Sequence, residues 1–227
     1  MILSRSALMY CNIHTHRAPV RPEDRAIISA DIRLSAFNPS FRYAAGIHPW
    51  EANPEALPLL YEQAKHPCVA AIGETGMDKR NSPLPFAVQE ELFIAHIKLA
   101  EALKKTLIIH CVKAWEELFR IRKASGSHVP WIIHGFRGNA TLAGQLLNAG
   151  FYLSFGLHFR PEAVFEAWTA CRLFAETDDD DIDIRDVYAA LAASLSVTKE
   201  ELSRQIAENF DGVQKTSCKP INRVSST

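Results

Sequence analysis

Long apolar runs are missing from this sequence. No stretch approaches the roughly 20 apolar residues that a helix needs to cross a bilayer. Ser4, Arg5 and Ser6 interrupt the apolar start, so nothing at this end resembles a signal peptide. We therefore expect a chain that does not enter a membrane and that is located in the cytoplasm.

An excess of charge of one sign is also missing. The 25 Lys and Arg residues nearly balance the 26 Asp and Glu residues, which leaves a formal net charge of −1. This balance gives no global field that would draw the whole chain to nucleic acid or to an anionic membrane. A balanced total still allows a local basic patch.

Paired cysteine motifs are absent as well. The five cysteines form no CxxC pair, and four of them, Cys11, Cys68, Cys111 and Cys171, lie in or beside apolar runs. An odd number of cysteines at positions expected to be buried predicts free thiols in a reducing compartment.

Internal repeats, low-complexity tracts and domain linkers are lacking too. The 227 residues are enough for one large core, and α/β barrels commonly have this length. We therefore predict a single domain over residues 1–227, with a polar, turn-rich segment at 211–227 that forms a flexible tail. Nothing in the sequence indicates an obligate protein partner.

What the sequence does contain is a series of short, nearly continuous apolar runs. Such runs are typical of strands that are buried on both faces of a parallel sheet. Eight of them are predicted as strands: 8–13, 26–32, 42–46, 68–73, 106–110, 129–134, 151–155 and 172–176.

Helical patterns separate most of these runs. The predicted helices are 54–65, 85–105, 114–124, 139–149, 161–169, 184–194 and 198–210. Alternation of eight strands with helices predicts an α/β fold, a closed (β/α)8 TIM barrel. The first units are trimmed, because residues 17–25 and 31–41 leave little room for helices.

Histidines and carboxylates follow these strands at the same end. His14 and His16 are two residues apart, so an extended strand points both imidazoles to one face. The whole set of candidates is His14, His16, His48, Glu74, His110, His134 and Asp178. One such histidine is more often a packed core residue, and His14 and His16 alone would fit that alternative. Seven polar residues on the face where barrel enzymes build their sites predict a metal site instead.

The residue types indicate which metal ions would bind. Four imidazoles and two carboxylates suit Zn²⁺ or Mn²⁺, and Mg²⁺ is possible at a carboxylate-rich position. Six ligands exceed the number that one tetrahedral ion takes. We therefore predict two divalent metal ions, roughly 3.5–4 Å apart, as in enzymes that activate water against esters.

Seven short motifs carry a resemblance to a known family. In order they are N-I-H-T-H, G-I-H-P-W, G-E-T-G-M-D, I-I-H-C, I-I-H-G-F-R-G, E-T-D and A-E-N-F, spread from Cys11 to Phe210. Each motif is weak alone, but in this order and at strand ends they are specific. The chain resembles a TatD-type metal-dependent hydrolase of the amidohydrolase-like superfamily.

The resemblance implies a role for each candidate residue. His14, His16 and Asp178 would hold one metal ion, His110 and His134 the second, and Glu74 would bridge the two ions. A hydroxide held between the ions would attack phosphorus, Asp178 would shuttle its proton, and His48 would contact the substrate phosphate. The implied catalytic residues are thus Asp178, Glu74 and His48. Family members are similar to one another in being metal-dependent DNases that often remove nucleotides from single-stranded 3′ ends.

Three departures from the family pattern bear on function. Asn12 stands where the family has Asp, which removes a charge near the metal ligands. Arg137 stands where the family has Ser or Thr, and it either binds a phosphate bidentately or is a surface residue. Residues 178–183 are mostly acidic where the family has a basic loop, so the electrostatic attraction of DNA is reduced. Basic residues on other loops of this face are Lys79, Arg80, Lys113, Arg137 and Arg160.

Three functions therefore remain in competition. The first is a TatD-like deoxyribonuclease with single-stranded DNA as substrate. The second is a related dinuclear hydrolase of a small ester, amide or phosphate, which the acidic run favours. The third is an inactive barrel with a binding role, which the presence of all six metal ligands disfavours.

Overall fold

The computed structural model describes residues 8–34, 36–51 and 53–215. Its eight strands are parallel and form one sheet in sequence order. Their bounds are β1 Cys11–Thr15, β2 Arg25–Ala30, β3 Arg42–Ala45, β4 Val69–Asp78, β5 Thr106–Val112, β6 Trp131–Ile133, β7 Phe151–Phe155 and β8 Leu173–Ala175. The chain just after β8 meets the end of β1, because Asp178 N donates to His14 O and His16 N donates to Asp178 O, each over 3.1 Å. These bonds close the (β/α)8 barrel and confirm the predicted fold class.

Seven helices surround the described part of the barrel. They are α1 Leu57–Ala64, preceded by a 3-10 turn at Pro54–Ala56, α2 Phe86–Leu103, α3 Trp115–Ser125, α4 Ala140–Asn148, α5 Pro161–Thr169, α6 Ile184–Leu195 and α7 Lys199–Lys215. The described residues form no helix between β1 and β2 or between β2 and β3, as the short connections predict. In place of the second helix, the Gln63 side chain donates to Asp31 O over 2.9 Å and holds the loop after β2. Each helix in the described part of the chain is too short or too polar to span a bilayer.

Local sequence signals explain where several helices begin. Asn139 and Asp183 cap α4 and α6 through their side-chain oxygens. The predicted capping box is present at α7, where Glu201 N donates to Thr198 Oγ1 over 3.2 Å and Thr198 N donates to Glu201 Oε2 over 2.8 Å. Such caps satisfy backbone groups that a helix end otherwise leaves without partners.

Strand β4 is longer than the apolar pattern indicates. The sequence predicts an end at Gly73, but the strand continues to Asp78 and all ten of its residues are buried. Glu74 therefore lies inside the strand rather than after it. Gly76 has φ +144°, and a Cβ there would overlap the carbonyl oxygen of His110 in β5. The close approach of the two strands thus requires glycine at this position.

The first residues of the expected flexible tail are helical. Helix α7 continues to Lys215, so the prediction is wrong for residues 211–215, and residues 216–227 lie outside the described residues. Val213 is fully buried, and its carbonyl accepts a 2.8 Å hydrogen bond from Thr106 Oγ1. Packing against β5, which is distant in sequence, therefore stabilises the end of this helix.

The cysteines largely follow the expectation of buried free thiols. Cys11, Cys68 and Cys111 are free and buried, but Cys171 is free and exposed, so the expectation of burial is wrong there. Cys171 occupies the turn before β8 with φ +53°. Cys218 lies outside the described residues.

Candidate metal centre

One imidazole cluster lies at the junction of β1 and β8. The fully buried His14 has its Nε2 3.2 Å from both Glu74 Oε2 and Asp178 Oδ1. His16 Nε2, which is closer to solvent, lies 3.5 Å and 3.6 Å from the same two oxygens. The strand therefore does bring both imidazoles to one point, and Asp178 closes this cluster from the neighbouring end of β8.

A second imidazole cluster surrounds the other oxygen of Glu74. Glu74 Oε1 lies 2.7 Å from His134 Nε2, 3.0 Å from His48 Nε2 and 3.1 Å from His110 Nδ1. His110 Nδ1 and His134 Nε2 are themselves only 3.3 Å apart. His48, which is 22% exposed, thus contacts the same carboxylate oxygen as the predicted metal ligands His110 and His134.

The carboxylate of Glu74 stands between the two clusters. Its Oε2 faces His14 and His16, and its Oε1 faces the other three imidazoles. Glu74 is 6% exposed, so these five histidines largely replace water around it. A carboxylate with one oxygen towards each cluster has the geometry of a bridging ligand.

The residues present fit divalent metal ions. The Nε2 atom of the buried His14 faces two carboxylate oxygens at 3.2 Å but makes no hydrogen bond within the described chain. Buried polar atoms normally have partners, so this nitrogen fits a position that binds a cation. Imidazole and carboxylate are also the donors that Zn²⁺ and Mn²⁺ accept in proteins. Three groups have ligand atoms within 4.8 Å of one another: His14, His16, Glu74 and Asp178; His48, Glu74 and His110; His134, Glu176 and Asp178.

The electrostatics of the centre favour positive charge. Burial and the neighbouring His134 lower the pKa of His14, but Glu74 and Asp178 outweigh them and raise it to about 9. Burial likewise opposes the charged form of Glu74, yet the surrounding histidines hold its pKa well below the usual value. A proton therefore occupies His14 when no cation does, and a divalent ion that binds there must displace it.

Two further carboxylates support the imidazoles, and neither is assigned a role from the sequence. Asp78 is fully buried, and its Oδ2 lies 3.1 Å from His110 Nε2. Glu176 Oε1 accepts a 2.6 Å hydrogen bond from Gly135 N and lies 3.6 Å from His134 Nδ1. Asp78 follows Glu74 by four residues in one strand, a spacing that places both on the same face and that could have indicated its role.

The remaining predicted residues lie around the mouth of the barrel. Arg137 is exposed in the loop after β6 and has no ion-pair partner within the described ranges. Lys79 forms a 2.6 Å ion pair with Glu117 and is therefore partly neutralised. On the β8 side, Asp179 and Asp181 are 84% and 89% exposed, and Asp181 pairs with Arg17. The mouth is therefore acidic beside β8, as the sequence indicates.

The hydrogen bonds of Asn12 explain why an amide occupies this position. Its Nδ2 donates to Thr177 Oγ1 over 2.8 Å, and its Oδ1 accepts from Thr177 N over 3.2 Å. The Thr177 hydroxyl in turn donates to Thr15 Oγ1 over 3.0 Å. A carboxylate at position 12 has no N–H to donate, so the amide permits a bond network that joins β1 to the residue before Asp178.

Most of this chain matches a known protein family. The model of the TatD-related DNase family matches residues 24–215. The chain belongs to this family. The resemblance to the family is therefore confirmed by a match that extends over most of the chain and includes six of the seven motifs, all but N-I-H-T-H at residues 12–16.

Two curated relatives illustrate the membership. YabD of Bacillus subtilis, named an uncharacterized metal-dependent hydrolase, is 37% identical over 149 residues, 61% of this chain and 58% of YabD. The 3′-5′ ssDNA/RNA exonuclease TatD of Klebsiella pneumoniae is 30% identical over 148 residues, 59% of this chain and 55% of TatD. The matched part of the chain thus spans somewhat more than half the length of these relatives.

The solved structure bears on the fold alone. The crystal structure of YJJV, a TatD homologue from Escherichia coli K12, superposes with a TM-score of 0.75 and 16% identity. The superposition covers 91% of this chain and 98% of that chain. The barrel described above is thus an architecture that an experimental structure in this family also has.

Proposed function

We propose that this chain is a divalent-metal-dependent hydrolase of phosphodiester bonds, a TatD-like deoxyribonuclease that removes nucleotides from the 3′ end of single-stranded DNA. The observation that carries the proposal is the position of Glu74, with one carboxylate oxygen 3.2 Å from His14 Nε2 and the other 2.7 Å from His134 Nε2. The name of the Klebsiella relative supports the substrate and the direction of attack.

Two ions of Zn²⁺, Mn²⁺ or Mg²⁺, when bound, would lower the pKa of a water molecule and offset negative charge on the phosphate. His14, His16 and Asp178 would hold one ion, and His110 and His134 the other, with Glu74 contacting both.

The chain's own residues would move the protons and orient the phosphate. Asp178 is 36% exposed, so its carboxylate reaches both His14 and the open mouth, where it would accept a proton from the attacking water. It would return that proton to the leaving oxygen. His48 would direct its Nε2 to a phosphate oxygen, and the exposed Arg137 would contact a second phosphate.

A second candidate is hydrolysis of a small ester, amide or phosphate. The exposed acids Asp179 and Asp181 beside the site favour it, because they repel a long polyanion. A small substrate carries few charges or none and would meet less of this repulsion.

The test uses a short single-stranded DNA labelled at its 5′ end, with Mg²⁺, Mn²⁺ or Zn²⁺ added after metal removal. The same strand with a phosphorothioate at its last 3′ linkage is the matched control substrate. A ladder from the 3′ end with the first strand and a block with the second supports the proposal. Hydrolysis of small chromogenic esters without release from either strand would favour the second candidate, and no hydrolysis at all would favour an inactive binding protein.

We also propose that residues 1–227 form one domain located in the cytoplasm. A single core cluster that runs from Tyr10 to Val213 supports the first part. The free, buried thiols of Cys11, Cys68 and Cys111 support a reducing compartment.

A further inference from the structure

Trp50 is an exposed aromatic residue at the mouth of the metal centre. It lies in the loop after β3 and is 47% exposed. The other exposed Trp, Tyr and Phe side chains of the described residues are Tyr61 in α1 and Phe165 in α5, on the outer ring of helices. Among these three residue types, Trp50 is therefore the exposed one that the described fold places next to the site.

Contacts to two imidazoles define the position of the indole. Its ring centroid lies 4.9 Å from that of His48, with the planes at 87°, and 5.7 Å from that of His110, with the planes at 77°. Both imidazoles belong to the cluster around Glu74 Oε1. The two histidines thus meet the indole at steep angles rather than stacking face to face on it.

Hydrogen bonds hold this indole in place before any ligand arrives. Trp50 Nε1 donates to Asp78 Oδ2 over 2.7 Å, and Trp50 N donates to His48 Nδ1 over 3.2 Å. Asp78 is fully buried, so its carboxylate stays in place and the hydrogen bond keeps the Trp50 side chain from moving into solvent. An aromatic ring that is already fixed loses little conformational entropy when a flat ligand stacks on it.

We propose that Trp50 is a stacking platform for a nucleobase of the substrate strand, next to the phosphate that is cleaved. This inference rests on the proposed function, because it takes nucleic acid as the substrate. A base is joined to its phosphate by a single sugar, so a phosphate at the imidazole clusters brings an adjacent base to the mouth, where Trp50 lies. Every base has a flat π-face, so the platform accepts all four without reading sequence.

The charge around the mouth explains why stacking matters in this chain. Asp179 and Asp181 leave the β8 side acidic, and Glu117 partly neutralises Lys79. Attraction between cations and phosphates is therefore reduced, although it usually supplies much of the affinity for nucleic acid. Stacking on an indole contributes affinity without charge, which offsets part of this loss.

The test compares Trp50→Phe with Trp50→Leu in the full chain. Both variants lose the indole N–H, so a difference between them reports on the aromatic face and not on the bond to Asp78. The substrates are a short single-stranded DNA and the same strand with abasic residues at its two 3′-terminal positions. For the intact strand we expect kcat/KM of Trp50→Leu to be roughly 5- to 150-fold below that of Trp50→Phe. For the abasic strand we expect the two variants to be equal.

The proposal would be overturned if the two variants had equal kcat/KM on the intact strand, or if the ratio between them were as large on the abasic strand as on the intact one. Trp50 would then be only a support for Asp78 and His110. Fluorescence of the metal-free protein gives a readout that does not depend on turnover. Addition of oligothymidylate should quench the emission of the unsubstituted protein and not that of Trp50→Phe, and equal quenching would overturn the proposal. If neither strand is cleaved but this difference in quenching is present, the proposed function fails while the platform stands.

Discussion

His110 is joined to the buried carboxylate of Asp78 by a hydrogen bond of 3.1 Å from its Nε2 atom. Burial raises the pKa of Asp78, but hydrogen bonds from Trp50, Asn81 and Arg80 outweigh it and hold the pKa well below its usual value. Asp78 is thus ionised and can only accept, so the proton lies on Nε2 of His110. The lone pair of Nδ1 then faces Glu74 Oε1, 3.1 Å away, where a metal ion would bind.

Asp78→Asn should weaken metal binding without unfolding the barrel. The amide carries no negative charge, so it does not replace the carboxylate that accepts hydrogen bonds from both Trp50 and His110. The orientation and the tautomer of His110 are then no longer fixed. We expect a loss of about 10- to 100-fold in metal affinity, measured by calorimetric titration of metal-free protein with Zn²⁺ or Mn²⁺. Asp211→Asn is the control, because that carboxylate pairs with Arg25 at the opposite end of the barrel. Affinities that agree within twofold would remove Asp78 from the support of His110.

Asp178→Asn should nearly abolish turnover while the fold persists. An amide cannot accept the proton of the attacking water, and general acid–base catalysis contributes about 10²- to 10⁴-fold in rate. We expect kcat to fall by a factor in this range and the circular dichroism spectrum to stay unchanged. Asp186→Asn, which removes one exposed acid from α6, should keep the kcat of the unsubstituted protein. If Asp178→Asn retains full turnover, the proton is carried by another group.

Removal of metal should lower thermal stability as well as activity. The ligands come from five strands or strand ends, so bound ions link distant parts of the chain and bind the folded state only. An ion present at 100 times its dissociation constant stabilises by about 2.7 kcal/mol. We expect treatment with EDTA to abolish hydrolysis and lower Tm, and added Zn²⁺ or Mn²⁺ to restore both. Glu74→Gln should reduce the rise in Tm, and an identical rise in that variant would contradict the bridging role of Glu74.

His96 should make the barrel less stable in mild acid. It is fully buried in α2, its Nε2 accepts a 2.9 Å hydrogen bond from Ile47 N, and burial lowers its pKa from 6.5 to about 4. Between these two values the unfolded chain binds a proton that the folded chain does not, so stability falls as pH falls. The slope is about 1.4 kcal/mol per pH unit, for a total of up to about 3 kcal/mol.

The measurement for His96 is the free energy of unfolding in urea at pH 7, 6 and 5 for the unsubstituted protein and for His96→Gln. The difference between the two proteins isolates His96 from the other titrating groups. We expect the unsubstituted protein to lose stability more steeply than the variant over this range. Parallel curves would show that His96 does not titrate in the unfolding reaction.

The acidic side of the mouth should weaken binding of single-stranded DNA. In the double variant Asp179→Asn and Asp181→Asn, two exposed charges are removed and Arg17 is released from its ion pair. We expect KM for a short single-stranded DNA to fall about 3- to 10-fold at low salt and this gain to shrink at high salt, where exposed charges are screened. Glu166→Gln with Glu208→Gln, on the outer helices α5 and α7, changes net charge equally and should leave KM unchanged. A similar gain in both double variants would assign the effect to net charge.

Much of the metal centre could be predicted because its residues follow from a local pattern and one topological rule. Apolar runs that alternate with helices indicate parallel strands, and the carboxyl ends of parallel strands in a closed barrel meet at one face. The positions of His14, His110 and His134 at or near strand ends therefore predict that these residues lie close together. The structure does bring these residues within a few ångströms of Glu74.

Features that depend on contacts between distant residues could not be predicted in this way. The polar and glycine residues after Gly73 break the apolar run, yet neighbouring strands bury them and β4 continues to Asp78. Helix α7 continues to Lys215 because Val213 packs into the core and bonds to Thr106. Burial of a residue is set by what surrounds it in space, and a linear pattern shows only its neighbours in the chain.

The sequence by itself determined the barrel, its trimmed first units and the set of seven polar residues at its mouth, because periodicity and strand order are local properties. Only the tertiary structure decided that Glu74 directs one oxygen to each imidazole cluster and that Asp78 holds both His110 and Trp50. Those relationships depend on side-chain distances of about 3 Å between different strands and loops, and such distances exist only after the chain has folded.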